Sequence, residues 1–408
     1  VKNRVAITGR GLLCALGDNA GVVHQSLHEG KSGLANVELF ETSGLTQPVA
    51  GGIKGFDPKT YLGKKNMRPL DRTARIVATT AHLALEDSGW PVEARAGQEI
   101  GLVLGTMYGS VHTIAEFDRH AVVEGPSYAS PLDFANTVIN AAAGQTAIWH
   151  GLRGINSTIA TGQTSGLRAI AYATSLIESG RSKALLSGGA EELCFQSFIS
   201  LERAGRLRVS GGEPVPFGKD RAGFLPGEGA GLLMLENKDL ATRRGARVLG
   251  TVEGCGVSFD PQRGNDEEES VRAAGRAVRA ALSAAEIGAD AIFGVSTSAN
   301  GSRLDELEAK GLAAALGERA KALPVTAIKA GLGETLGGDG GLQAVIGLES
   351  LHKGEQPGIR GLSDRPGGFP FPLAGSRPQP LQGPNLLLYS MGWDGQHCAV
   401  VISKNTQG

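Results

Sequence analysis

Short apolar runs closed by glycine alternate along the chain with longer stretches in which Ala and Leu recur at helical spacing. The first run, Arg4-Val-Ala-Ile-Thr-Gly-Arg-Gly-Leu-Leu13, is β-branched and apolar, as a buried strand turning into a loop requires. Equivalent runs follow at Ile100–Gly105, Ala184–Gly189 and Gly231–Glu236, and again at Ala291–Ser296 and Leu386–Gly392. Between them the periodicity predicts helices over Thr73–Ser88, Gly166–Ser179, Glu267–Ala285 and Leu304–Leu316. Strands alternating with helices indicate an α/β class with buried sheets. The charged stretch Asn237–Arg244 follows a complete strand and divides the chain into two expected halves, 1–240 and 241–408. Proline excludes both helix and central strand from Arg365–Pro384, which is expected to be a long loop.

Composition narrows the function classes. The 40 Lys and Arg against 41 Asp and Glu give a formal net charge of -1, without the basic excess of a nucleic-acid binder. No apolar run approaches the roughly 18 residues of a membrane span, and Val5-Ala6-Ile7 is too short for a secretory core, so a cytoplasmic protein is expected. Cys14, Cys194, Cys255 and Cys398 lack metal-ligand or disulfide-framework spacing. The 61 glycines, roughly twice the usual share, follow no collagen period.

One segment has the form of a catalytic turn. Ser157–Tyr172 passes from a β-branched strand through small residues into an amphipathic helix, presenting the side chain at position 163 to the helix N-terminus. Unpaired N–H groups and the positive dipole end there would activate a thiol and stabilise an oxyanion. The residue is Gln163, and a neutral amide cannot be activated into a covalent nucleophile.

Several ordered motifs around this turn resemble those of the β-ketoacyl synthases of the thiolase superfamily. They are Gly151-Leu-Arg-Gly154, Ile159-Ala-Thr-Gly-Gln-Thr-Ser-Gly166, Ser187-Gly-Gly-Ala-Glu-Glu192, the Pro216–Gly231 stretch and Ser390-Met-Gly-Trp-Asp-Gly395. The resemblance spans nearly the whole chain and implies the thiolase fold, two similar α/β halves in αβαβα layers, normally dimeric. In that family the turn carries a nucleophilic Cys, and two His on separate loops stabilise an enolate. This chain departs at all three positions: Gln163 replaces the Cys, Asn300 is the nearest counterpart of one His, and Glu334, five residues after Lys329, replaces the other. A carboxylate there would oppose an incipient enolate. The resemblance leaves Lys329, Asp305 and Glu308 as the scaffold of the loops.

Loss of the triad on a preserved frame resembles the chain-length factors, the ketosynthase β-subunits of type II polyketide synthases. The implied partners are an active ketosynthase α-subunit and an acyl carrier protein bearing the growing chain, and the implied work is shaping a tunnel. By the same matching, Ser110, Thr113 and Phe117 would line the tunnel from one helix face, or pack as an ordinary face. Phe134 would reach towards the partner, or be a core aromatic. Small Ser110 would suit a longer or linear, polyene-like chain. Two other functions remain open: a priming ketosynthase that decarboxylates malonyl groups using Gln163, and a non-catalytic acyl-binding protein.

No cofactor or metal is expected. Gly331–Gly341 has six glycines but lacks the Gly-Lys-Ser/Thr ending of a phosphate loop and contains two acids. Asp266–Glu269 opens a helical pattern, where acids favour the helix N-terminus without a metal.

Overall fold

The computed structural model describes residues 3–64, 66–90, 99–208, 212–363, 369–373 and 375–405. Ten strands form one mixed sheet: β1 (Val5–Cys14), β2 (Ile100–Gly105), β3 (Asn156–Ile159), β4 (Ala184–Glu191), β5 (Gly229–Asn237), β6 (Gly250–Phe259), β7 (Gly294–Ser296), β8 (Val325–Thr326), β9 (Asn385–Met391) and β10 (Gln396–Lys404). The helices that frame it are α1 (Arg72–Asp87), α2 (Val111–Val123), α3 (Ala141–His150), α4 (Ser165–Glu178), α5 (Glu267–Ala284), α6 (Leu304–Leu316) and α7 (Asp339–Lys353). No helix among the described residues is long and apolar enough to cross a membrane.

The sheet consists of two copies of one pattern. In the first half, β1 pairs antiparallel with β5, β5 antiparallel with β4, β4 parallel with β2, and β2 parallel with β3. In the second half, β6, β10, β9, β7 and β8 follow in the same order with the same directions. The halves join where Val5, Ala6 and Ile7 of β1 pair with Val252, Thr251 and Gly250 of β6.

Side-chain alternation then sorts the apolar residues into layers. Leu386, Leu388, Val400 and Ile402 point to a central core shared with Leu167, Ile170, Leu342 and Val345 of α4 and α7. Leu387, Tyr389, Ala399 and Val401 point the other way, against α5 and α6. On the far side of the first half, Leu102, Leu104, Leu186 and Met234 pack against α1 and α3. The architecture is therefore the thiolase fold, αβαβα, with α4 and α7 as the middle layer.

The middle layer explains part of the glycine excess. A Cβ on Gly341 would overlap the carbonyl oxygen of Gly231, and one on Gly166 would lie 2.8 Å from the Gly341 nitrogen. Only glycine lets two helices and two strands approach so closely. Gly340 and Gly341 thus belong to the first turn of a helix whose residues Asp339–Leu351 are all buried, although the glycine run reads as turn. Within the expected long loop, Gln379–Pro380 pairs antiparallel with Glu355–Gln356 as a two-residue ribbon, while Arg365–Gly368 and Ala374 lie outside the described residues. Asp266 caps α5 by accepting from the Glu269 N–H at 3.1 Å, and Glu267–Glu269 occupy its first turn.

Candidate functional site

The β3–α4 connection places Gln163 in a 3-10 turn, Gly162–Thr164, directly before α4. Gly162 has φ +60, and a Cβ there would overlap the Asp394 carboxylate, so the turn requires glycine. Gln163 is only 2% exposed. Both ends of its amide are used: Nε2 donates to Glu334 Oε2 at 2.8 Å, and Oε1 accepts from the Trp393 N–H at 3.3 Å.

Glu334 joins all three departure positions. The same Oε2 accepts from Asn300 Nδ2 at 2.7 Å and from Lys329 Nζ at 2.8 Å, while Oε1 accepts from the Leu336 N–H at 3.0 Å. Lys329 also lies 3.0 Å from Asp339, and every member of this cluster is buried. The two facing carboxylates hold the Lys329 ammonium well above its usual range despite burial. Burial, with the Glu334 charge adding to it, pushes the Asp339 carboxyl up to about 7. Among the described residues, the hydrogen-bond partners of Gln163, Asn300 and Glu334 include no histidine or cysteine. His397, the most buried histidine, pairs instead with the Tyr389 hydroxyl at 2.6 Å.

Two carboxylates at the start of α6 fix the Asn300 loop. Asp305 accepts from the N–H groups of Phe217, Asn300 and Gly301 at 2.9–3.0 Å, and Glu308 accepts from the Ser298 N–H at 2.8 Å and hydroxyl at 3.0 Å. The Ser298 hydroxyl in turn accepts from the Met391 N–H at 3.0 Å. Burial raises Asp305 to about 6 and Glu308 to about 8, against the pull of these donors. Over the site, Trp393 stacks on Phe224 with ring centroids 5.9 Å apart, and the Arg206 guanidinium sits 4.8 Å from the Trp393 ring. These three residues line a small cavity of about 150 Å³ together with Arg221, Ser302 and Arg303.

Ser110, Thr113 and Phe117 are not equivalent positions on one helix face. The helix begins at Val111, so Ser110 is its N-cap residue and is buried, whereas Thr113 and Phe117 are half-buried. Thr113 donates to Asp71 at 3.2 Å. Phe134 is 64% exposed on the short helix Pro131–Phe134, with its ring 5.8 Å from that of Phe117, so it is not a core aromatic.

The β-ketoacyl synthase N-terminal domain family matches residues 2–241, and the corresponding C-terminal domain family matches residues 249–363. The chain belongs to the β-ketoacyl synthase family. Among curated members of that family, it is 34% identical over 361 residues to 3-oxoacyl-[acyl-carrier-protein] synthase 2 of Vibrio cholerae, covering 86% of each chain. It is 30% identical over 414 residues to the Vibrio harveyi protein of the same name, covering 99% of each. Among solved structures, the fold superposes on the ishigamide ketosynthase/chain length factor with a TM-score of 0.90 at 24% identity, covering 99% of this chain and 100% of that one. It also superposes on the type II polyketide synthase ketosynthase of the AntDE:AntF complex, at 0.87 and 22%, with the same coverage.

Two residues of this β-ketoacyl synthase site escape a reading by motif. Asp339, read only as an acid that disfavours phosphate, completes the Lys329 ion cluster; the signal was an acid ten residues after a lysine within a glycine-rich buried run. Trp393 belongs to a motif recognised as a string, yet its backbone N–H holds the Gln163 amide oxygen while its ring stacks on Phe224, which no spacing conveys.

Proposed function

We propose that this chain is a catalytically degenerate ketosynthase subunit of the chain-length-factor type. It pairs with an active ketosynthase α-subunit and shapes the space in which a chain grows by decarboxylative condensation on acyl carrier protein. The observation that carries this reading is the convergence of Gln163, Asn300 and Glu334 on one shared oxygen, Glu334 Oε2. An amide at the turn offers no nucleophile, and a carboxylate beside it destabilises an enolate. The three substitutions satisfy one another's hydrogen bonds, so the departure is a joint replacement that seals the position where a reaction would occur.

The surface supports the partner. Val122, Val123, Phe134, Val138, Ile139 and Ile148 are all exposed and come from one stretch of chain. Among the described residues, strand β3 pairs only with β2 and stands at the edge of the sheet. A groove of about 510 Å³, lined by Thr158, Arg168, Tyr172 and Val257, adjoins that edge. A strand at a sheet edge together with exposed apolar side chains is what a permanent subunit interface buries. The same Glu334 carboxylate argues against malonyl decarboxylation by Gln163, because it accepts from the Gln163 and Asn300 amides and from Lys329, so the donors at this position are turned onto an internal anion rather than towards a developing enolate.

The deciding experiment is co-expression with an active ketosynthase and supply of malonyl-loaded acyl carrier protein. The expected result is a one-to-one complex that elongates only when both chains are present. Elongation by this chain alone defeats the reading, and decarboxylation by this chain that is lost in Gln163→Ala transfers it to the priming function.

A further inference from the structure

Glu191 closes β4 and is 1% exposed. Its carboxylate collects five donors. Oε1 accepts from the Thr106 hydroxyl at 3.1 Å and from the N–H groups of Tyr108 at 2.9 Å and Gly109 at 3.1 Å. Oε2 accepts from the Met107 N–H at 2.6 Å and the Gly337 N–H at 3.1 Å. Three consecutive N–H groups of one loop therefore turn onto a single side chain, an anion nest built around an internal carboxylate.

The two sides of this nest are functionally distinct. Met107–Gly109 lead into Ser110, the N-cap residue of α2. Gly337 lies between Glu334 and Asp339, the two acids bound to Lys329. No Lys, Arg or His forms an ion pair with Glu191 among the described residues. The neighbouring ionisable groups are Glu192 and Tyr108, and neither is a cation. Burial without a counter-charge pushes the Glu191 carboxyl up to about 7, against the pull of its N–H donors. A buried, uncompensated acid is costly, and its return here is the attachment of one loop to another.

We propose that Glu191 is a positioning residue that clasps the Met107–Gly109 loop, and with it the first turn of α2, to Gly337, thereby fixing the chain length the subunit specifies. The length-setting half rests on the chain-length-factor reading; the clasp itself does not. Glu191→Gln keeps the size of the side chain but turns an NH2 group towards donors, so two N–H groups lose their acceptor.

Two readouts test it. In the purified chain or complex, hydrogen exchange at Met107, Tyr108 and Gly109 in Glu191→Gln is expected to accelerate at least tenfold, with Leu102–Leu104 of β2 unchanged. In the complex, neighbouring product lengths are expected to rise at least threefold relative to the main product. Glu236→Gln, which breaks a buried pair with Arg244 far along the sheet, serves as a control for lost stability and should keep the wild-type distribution. Should Glu191→Gln not fold, Glu191→Asp retains the charge but shortens the reach, and the same exchange and length shifts are expected at smaller size. Unchanged exchange overturns the clasp, and faster exchange with an unchanged product distribution overturns its role in length. Absence of elongation by the wild-type complex defeats the chain-length-factor reading instead, and the exchange measurement still decides the clasp.

Discussion

The side-chain amide of Gln163 donates to Glu334 across 2.8 Å, so the residue at the turn and the residue five positions after Lys329 form one unit. Restoring a thiol at the turn is therefore not enough to restore its reactivity. In Gln163→Cys the buried thiol meets the Glu334 carboxylate, and burial and a neighbouring anion both raise a thiol's pKa. Alkylation by iodoacetamide at pH 7, followed by mass spectrometry, is expected to run at least about tenfold slower than for a free cysteine. Adding Glu334→His removes the anion and should reverse that slowing. A single mutant that reacts faster than free cysteine contradicts the description of the site.

Lys329 is the counter-charge on which the buried acids depend. Lys329→Met leaves Glu334 and Asp339 facing each other in a dry interior, and breaking a buried ion cluster in this way costs about 3–5 kcal/mol. Urea denaturation is expected to show that loss with an unchanged m-value. A second change, Asp339→Asn, removes one uncompensated acid and should recover part of it; failure of the pair to couple places Lys329 outside the cluster's energetics.

The pH dependence of stability has a definite sign. Burial lifts Asp305 to about 6, Glu191 and Asp339 to about 7, and Glu192 and Glu308 to about 8. A carboxyl raised in the folded state binds its proton more tightly folded than unfolded. Its contribution is complete below the unfolded value, 3.8 for the Asp and 4.5 for the Glu side chains, and is lost as pH rises through the folded value. The melting temperature is accordingly expected to fall between pH 5 and pH 8.5. Each titrating group adds up to about 1.4 kcal/mol per pH unit to the slope. Glu192→Gln, which removes an acid repelled by Asp71, should flatten the upper part of that slope. A melting temperature that rises over this range rejects the assignment.

The exposed apolar stretch yields a prediction separable from folding. Ile148 is 79% exposed and Phe134 64%, so replacing either with Glu removes little packing. Ile148→Glu and Phe134→Glu are expected to leave the melting temperature of the isolated chain within about 2 °C, since surface changes stay near 0.5 kcal/mol. Each should weaken complex formation with the proposed ketosynthase partner at least tenfold by calorimetry. Undiminished binding removes this face from the interface.

What the sequence made legible, and what it did not, divides along physical lines. The predicted strands at Ile100–Gly105 and Ala184–Gly189 and the helices beginning near residues 73, 166, 267 and 304 lie where their periodicity puts them, because both core faces demand apolar side chains. Strand β6, Gly250-Thr-Val-Glu-Gly-Cys-Gly-Val-Ser-Phe259, is absent from the reading because three glycines and the polar Thr251, Glu253 and Ser258 break up its apolar run. A Cβ on Gly254 or Gly256 would overlap the Ala281 or Ala277 carbonyl of α5, so close packing erased the hydrophobic signal. Helix α7 is hidden by the same cause, with Gly340 and Gly341 of its first turn facing backbone. At the site, the identities of Gln163, Asn300 and Glu334 were visible at three distant positions. Their convergence on one carboxylate oxygen is a property of tertiary structure alone.

Ser110 offers the sharpest test of length control. It is 1% exposed, its hydroxyl has no hydrogen-bond partner among the described residues, and it stands at the N-cap of the helix whose preceding loop is held by Glu191. Ser110→Ala deletes an unsatisfied buried hydroxyl and is expected to be neutral or to stabilise the chain by up to about 1 kcal/mol, with product length unchanged. Ser110→Phe must displace its neighbours, at a cost of about 1–3 kcal/mol. Because Thr113 and Phe117 extend along the same helix, that displacement moves the whole proposed lining. The Ser110→Phe complex is expected to release shorter products, read by mass spectrometry of chains cleaved from the acyl carrier protein. If a folded Ser110→Phe complex makes products of wild-type length, the helix does not set the limit.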